Sequence, residues 1–185
     1  CRVLELGCGA GANIPFFKKL GVQYHAVEGS QTIVNELIKA FPEYSETIKV
    51  GDFTKEIPFD CHFDLIIDRA SLTHNTTSAI KRALGLIRKK LVDNGAYIGI
   101  DWFSTAHSDF NKGLPVEDAF SKTDITEGPF TGVGIVHFSD KEHLLELLSG
   151  FSLEQLDHKI LSKDIPHTGQ VIASYNFLAR KEVLS

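Results

Sequence analysis

The segment Glu5-Leu6-Gly7-Cys8-Gly9-Ala10-Gly11 sets three glycines between an apolar run and a helix-forming stretch. Glycines there let the backbone turn tightly and let a ligand come close, while the next helix offers free N–H groups at its start. Three acids follow, each at the end of an apolar run. Glu28, followed by Gly29, can accept both hydroxyls of a ribose. Asp52 in Gly51-Asp52-Phe53 can accept a hydrogen bond from an adenine amino group, with Phe53 on the ring face. Asp68 opens the stretch Asp68-Arg69-Ala70-Ser71-Leu72-Thr73-His74, which closes on a titratable ring. Together these point to an adenosine-bearing cofactor without choosing one. Gly7-x-Gly9-x-x-Ala12 also fits the dinucleotide fingerprint, which accepts alanine at its last place.

The elements that must hold these residues are legible from periodicity. Short apolar runs predict strands over 2–6, 24–27, 47–50, 63–67 and 96–102. Helical spacing of apolar residues predicts helices over 11–20, after an N-cap at Ser30, and over 76–91. Asp93-Asn94-Gly95 reads as the turn into the fifth strand. Strand–helix alternation implies right-handed crossovers and a parallel sheet. All the chemical signals then fall at the carboxyl ends of strands, where open α/β sheets bind ligands. The pattern breaks over 103–136, which is polar, glycine-rich and without strong periodicity; so long a loop in one domain is usually functional. Regular structure returns with a helix opened by Ser139-x-x-Glu142 as a capping box. Two strands over 151–161 and 170–180 follow with only a short link, so they must be antiparallel.

Composition narrows the class. The 185 residues suit one domain spanning 1–185, with 43% hydrophobic and 23% charged residues. A net charge of -5 argues against gripping a phosphate backbone. Cys1, Cys8 and Cys61 form neither a disulfide framework nor a zinc module. With no signal peptide and no apolar run of membrane-spanning length, a reducing, cytoplasmic setting is expected. The chain starts on a strand at Cys1 and contains no methionine, which suggests that an N-terminal segment is missing.

Val3-Leu4-Glu5-Leu6-Gly7-Cys8-Gly9-Ala10-Gly11 resembles the first motif of class I S-adenosylmethionine-dependent methyltransferases. Glu28, Asp52-Phe53 and residues 63–68 match that family's later motifs in order and position, and Leu91-Val92-Asp93-Asn94-Gly95 resembles the turn before its fifth strand. The resemblance covers nearly the whole chain except 103–136. It implies a doubly wound α/β fold: a seven-stranded, mostly parallel sheet whose C-terminal antiparallel pair sets the last strand between the fifth and sixth. It also implies S-adenosylmethionine as cofactor. Gly7, Gly9 and Gly11 would approach its methionine part and ribose, Glu5 would contact its amino end through water, and Glu28 with Gly29 would bind the ribose. Asp52 and Phe53 would hold adenine, while Asp68 and Arg69 would pass beside the methionine part.

Methyl transfer from a sulfonium needs alignment above all. Positioning supplies roughly 7–11 kcal/mol, while a general base adds about 10²–10⁴-fold. An O or N atom of a small molecule is the expected acceptor. Three histidines are candidates for a base or an acceptor-orienting group. His74 after the fourth strand comes first, with His137 beside the capped helix and His107 in the 103–136 insert. Asp101, Trp102, Phe103 and His107 are expected to wall the acceptor pocket, where an aromatic face attracts a cation. No metal is expected: Asp68 and Asp101 end neighbouring strands, but no histidine pair has i,i+4 spacing. A nicotinamide-dependent oxidoreductase is the alternative enzyme, yet none of the four tyrosines begins Tyr-x-x-x-Lys. A non-catalytic S-adenosylmethionine-binding module is the third reading. Asp68-Arg69-Ala70-Ser71 is not the motif that holds a flipped base, which disfavours nucleic-acid methylation.

Overall fold

Among the described residues, ten strands and four α-helices follow one another. The strands are β1 (Arg2–Leu6), β2 (Gln23–Glu28), β3 (Ile48–Val50), β4 (Phe63–Arg69), β5 (Leu91–Phe103), β6 (Leu114–Pro115), β7 (Ser121–Thr123), β8 (Val136–His137), β9 (Phe151–Ser162) and β10 (Val171–Lys181). The helices are α1 (Ile14–Leu20), α2 (Gln31–Ala40), α3 (Thr77–Lys90) and α4 (Lys141–Leu147). The structure is a computed structural model and describes residues 1–182. Seven strands form one sheet in the order β3-β2-β1-β4-β5-β10-β9. β1 runs parallel to β2 and β4, β4 parallel to β5, and β10 antiparallel to both β5 and β9. This is the doubly wound sheet implied by the sequence, with the last strand between the fifth and the penultimate one.

Alternation along β1 divides the core. Leu4 and Leu6 join Phe63, Ile66 and Tyr97 under Ile80 and Ile87 of α3 and Leu144 of α4. On the opposite face, Val3, Tyr24, Ala26 and Ile67 pack with Phe17 of α1 and Val34 and Leu37 of α2. Strands covered on both sides read as continuous apolar runs, which is why the sequence shows them clearly.

Local boundaries differ from the sequence expectation where backbone geometry intervenes. α1 starts at Ile14 rather than Gly11, because Gly11 adopts φ +78° and Pro15 favours the first helical turn. The Asp93-Asn94-Gly95 turn lies inside the extended β5 segment, with Asn94 left-handed at φ +58°. α4 is capped by Asp140, which accepts the His143 amide at 2.8 Å, rather than by Ser139. Ser30 and Thr76 do cap α2 and α3.

Residues 103–136 are not a bare loop. β6, β7 and β8 form a small antiparallel sheet. Beneath it Ile125, Phe130, Val136 and Phe138 make a separate core with Phe103 and Phe110. Its two ends are zipped together: Ser139 N donates to the Phe103 carbonyl at 2.9 Å and Thr105 N to the Ser139 carbonyl at 3.0 Å. Among the described residues no helix is long and apolar enough to cross a membrane.

Candidate active site

β1 delivers the chain to Gly7 at the carboxyl edge of the sheet, where φ is +68°. A Cβ at Gly7 would lie 2.3 Å from the Ser71 Cβ, so only glycine fits both the turn and the contact. The single proton on Ser71 Oγ is shared between the Leu6 carbonyl, at 2.7 Å, and the Asp68 carboxylate, tying the end of β4 to the end of β1. Gly11 is required for a different reason. A Cβ there would lie 2.6 Å from Leu37 of α2, so this glycine serves helix packing.

Glu28 ends β2 and turns its carboxylate into the glycine loop. Oε2 accepts the Gly9 amide at 2.9 Å and Oε1 the Ser30 amide at 3.1 Å. An ionised carboxylate offers about four acceptor positions, so two remain for a ligand's hydroxyls. Beyond β3, Asp52 accepts the Thr54 amide at 3.0 Å and its hydroxyl at 2.6 Å, and pairs with Lys55 at 3.0 Å. The Thr54 hydrogen bond leads the causes that hold the Asp52 pKa below its usual value.

Gly7, Glu28, Gly29, Asp52, Phe53, Ser71, His74 and Asn75 line one cleft of about 540 Å³. That lies within the roughly 300–1,000 Å³ typical of small-molecule sites. A carboxylate at the end of β2, an acid-aromatic pair beyond β3 and an open glycine loop suit a ribose, an adenine and a flexible tail. The residues present therefore fit an adenosine-bearing cofactor.

His74 sits on the far wall, in a short 3₁₀ turn (Leu72–His74) after β4. Its Nδ1 lies 3.3 Å from the Ile135 carbonyl of the insert, and Phe103 meets its ring edge-on at 5.7 Å. Desolvation lowers its pKa, with the Ile135 carbonyl opposing.

The remaining expected site residues lie outside the cleft lining. Glu5 alternates onto the α1 face, where it accepts Tyr24 Oη at 2.6 Å and Asn13 Nδ2 at 2.7 Å. Burial raises its pKa against those hydrogen bonds. Asp68 is wholly buried and accepts the Ser71 and Leu72 amides at 2.9 and 3.0 Å and Trp102 Nε1 at 2.7 Å. Burial pushes its pKa up to about 6 despite these donors.

Trp102 corrects the sequence expectation most sharply. It was expected on the pocket wall, yet it is 0% exposed, packed on Phe177 and bonded to Asp68. The cause is an irregularity in β5. Tyr175 pairs with Trp102 and Phe177 with Gly99, so β5 spends one extra residue there, and Asp101 is left-handed at φ +57°. Such a bulge resets the alternation. Trp102 then shares a face with Tyr97, while Asp101 meets Arg69 Nε at 3.3 Å and Lys159. Partial burial opposes ionisation of Asp101, but the two cations outweigh it and lower its pKa.

His137 and His107 also fall elsewhere. His137 is fully buried, with Nδ1 at 3.1 Å from Ser121 Oγ and 3.4 Å from Thr77 Oγ1, and Nε2 at 3.2 Å from Ser139 Oγ. Burial, then the neighbouring His143, depresses its pKa to about 4. It holds the insert to α3 as a neutral ring. His107 accepts the Asp109 amide at 3.1 Å and packs 5.0 Å from Phe130, inside the insert's core.

The fold thus brings together the residues from four strand ends, 7, 28–29, 52–53 and 74, and separates them from 101, 107 and 137. Sequence reasoning did not single out Ser71 and Asn75. Both fell within or beside the quoted 68–74 stretch, but no spacing rule marks a serine that ties two strand ends.

Residues 3–95 match the profile of a family described as methyltransferase domain. Among solved structures, an S-adenosylmethionine-dependent methyltransferase from Methanosarcina mazei superposes with a TM-score of 0.77 at 18% identity, over 99% of this chain and 93% of that one. The 1,6-didemethyltoxoflavin-N1-methyltransferase of Burkholderia thailandensis, solved with its substrate and S-adenosylhomocysteine, gives 0.66 at 17% identity, over 98% and 71%. An amino pentose methyltransferase from Micromonospora echinaspora gives 0.63 at 15% identity, over 98% and 84%. Among curated proteins, none matches the sequence.

Proposed function

From the premise that this chain belongs to the methyltransferase-domain family, as an S-adenosylmethionine-dependent enzyme, we propose that it methylates an oxygen or nitrogen of a small molecule. The observation that carries this reading is the Glu28 carboxylate. It is bonded to the Gly9 amide and shares one cleft with Asp52, Phe53 and His74. Glu28 would hold the ribose hydroxyls, Asp52 and Phe53 the adenine, and the Gly7–Gly9 turn the methionine part. When bound, S-adenosylmethionine supplies an activated methyl on a sulfonium. The chain's own work is then alignment, which is worth roughly 7–11 kcal/mol.

The acceptor side falls to the wall formed by His74, Phe103 and the insert, residues 103–136. A metabolite or a sugar is the kind of acceptor that two of the similar structures are named for methylating. A net charge of -5 disfavours a nucleic-acid acceptor.

Isothermal titration with S-adenosylmethionine, S-adenosylhomocysteine and NADH tests the reading. Micromolar binding of the first two is expected, weakened about 10–100-fold in Glu28→Ala, the loss of a charge-assisted hydrogen bond. Binding of NADH alone would turn the assignment to redox chemistry. Cofactor binding without turnover of any acceptor would leave a binding module.

A further inference from the structure

We propose that His74 is the general base for the acceptor, presented through Nε2 because the insert's Ile135 carbonyl occupies Nδ1, so that the acceptor is a hydroxyl or an acidic ring N–H rather than an amine. The proposal rests on the donor-site reading above and names the acceptor chemistry of the same cleft.

A carbonyl oxygen only accepts, so the 3.3 Å contact requires Nδ1 to carry the hydrogen. In a neutral imidazole Nε2 is then bare, and among the described residues it has no hydrogen-bond partner. Phe103, edge-on at 5.7 Å, limits rotation of the ring. A hydrogen bond that selects the tautomer and a packed neighbour that fixes the plane are what a positioned base needs. Desolvation favours the neutral ring, with the Ile135 carbonyl opposing. The titratable groups facing it across the cleft are Glu28 and Asp52. Phe103 from β5 and Ile135 from the insert bring no charge.

An amine that is neutral at working pH already has a free lone pair and gains little from such a base. A hydroxyl gains directly. As the acceptor oxygen's electron pair forms the new O–C bond, the C–S pair returns to the sulfonium sulfur. The hydroxyl proton passes to Nε2, and the imidazolium releases it to water after the product leaves. Ile135 is the positioning residue. It acts through its backbone, so the insert sets the protonation geometry of a residue 61 positions earlier in the chain.

The test combines tautomer, binding and rate on the full chain. Long-range ¹H–¹⁵N spectra of histidine-labelled protein with S-adenosylhomocysteine should show His74 protonated on Nδ1 at pH 7.5. An Nε2–H tautomer or an imidazolium there overturns the proposal. Labelled methyl transfer is then measured to 7-hydroxycoumarin and 2-hydroxypyridine, with benzylamine as the amine control. His74→Asn keeps an amide that can still donate to Ile135, so it should fold and bind S-adenosylhomocysteine as before. Its kcat on the first two probes should fall about 10²–10⁴-fold, and the acidic limb of the wild-type pH profile should vanish. An unchanged kcat in His74→Asn, preferred methylation of benzylamine, or no turnover of either hydroxylated probe with donor binding intact each overturns it. Loss of S-adenosylhomocysteine binding in the wild type would overturn the donor-site reading instead.

Discussion

In the first half of the chain, residues 3–95, the groups that face the cleft are placed by backbone. Gly7 turns where a side chain would strike Ser71, Glu28 is held by two amides, and Asp52 by an amide and a hydroxyl. In the insert, residues 103–136, position comes from rings against rings. Phe103 lies 4.6 Å from Phe130, Phe110 packs 5.6 Å from Phe138 just past the insert's end, and beside it His137 is wedged among three hydroxyls. Backbone-set geometry leaves short, dense motifs in a sequence. Ring packing tolerates many sequences, so it leaves none. The family profile accordingly covers the first region and stops before the second. On the function proposed above, the first region would serve the donor, and the insert could be remodelled for an acceptor.

The contrast can be broken or sharpened by substitution. Gly7→Val should have the largest effect. It combines a left-handed backbone with a 2.3 Å overlap, costing roughly 3 kcal/mol or more. Calorimetry should find donor binding abolished; a variant that still binds would show that the loop is not backbone-determined. Phe130→Ala empties the centre of the insert's core and should cost about 3 kcal/mol by urea denaturation. S-adenosylhomocysteine affinity should stay within about twofold, since Phe130 packs on Phe103, which meets the cleft at His74 rather than at Glu28 or Asp52. A large loss of affinity would mean that the halves are not separable.

Acid should divide them next. His137 has a folded pKa of about 4, below the unfolded value of about 6.5. The unfolded chain therefore binds more protons between those values, and stability falls as pH drops through that window. Between pH 7 and pH 5 the loss should be about 2 kcal/mol. Hydrogen exchange should place it first in β7 and β8, and His137→Asn should flatten the slope. His107 in the insert and His143 of α4, whose ring lies 5.2 Å from His137, are shifted the same way and add to the loss around that ring. The smallest effect belongs to Lys159→Ala. It removes an exposed partner while Asp101 keeps Arg69, so stability should change by less than about 0.5 kcal/mol. A larger change would give the bulge at Asp101 a weight its exposure does not suggest.

The amino-acid sequence by itself determined the sheet, the antiparallel closing pair and the cluster at residues 7, 28, 52 and 74. Each depends on local rules: apolar periodicity, glycine at a turn, and the placing of strand ends along one edge. Three features were decided only in the tertiary structure. The extra residue in β5 sends Trp102 into the core and Asp101 out to Arg69 and Lys159, because one inserted residue inverts every later position in a strand. His137 looks from its neighbours like a free histidine, yet packing of the insert on α3 buries it as a neutral ring. His74 owes its tautomer to a carbonyl 61 residues away. Burial and protonation belong to contacts between distant segments, and no spacing along the chain encodes them.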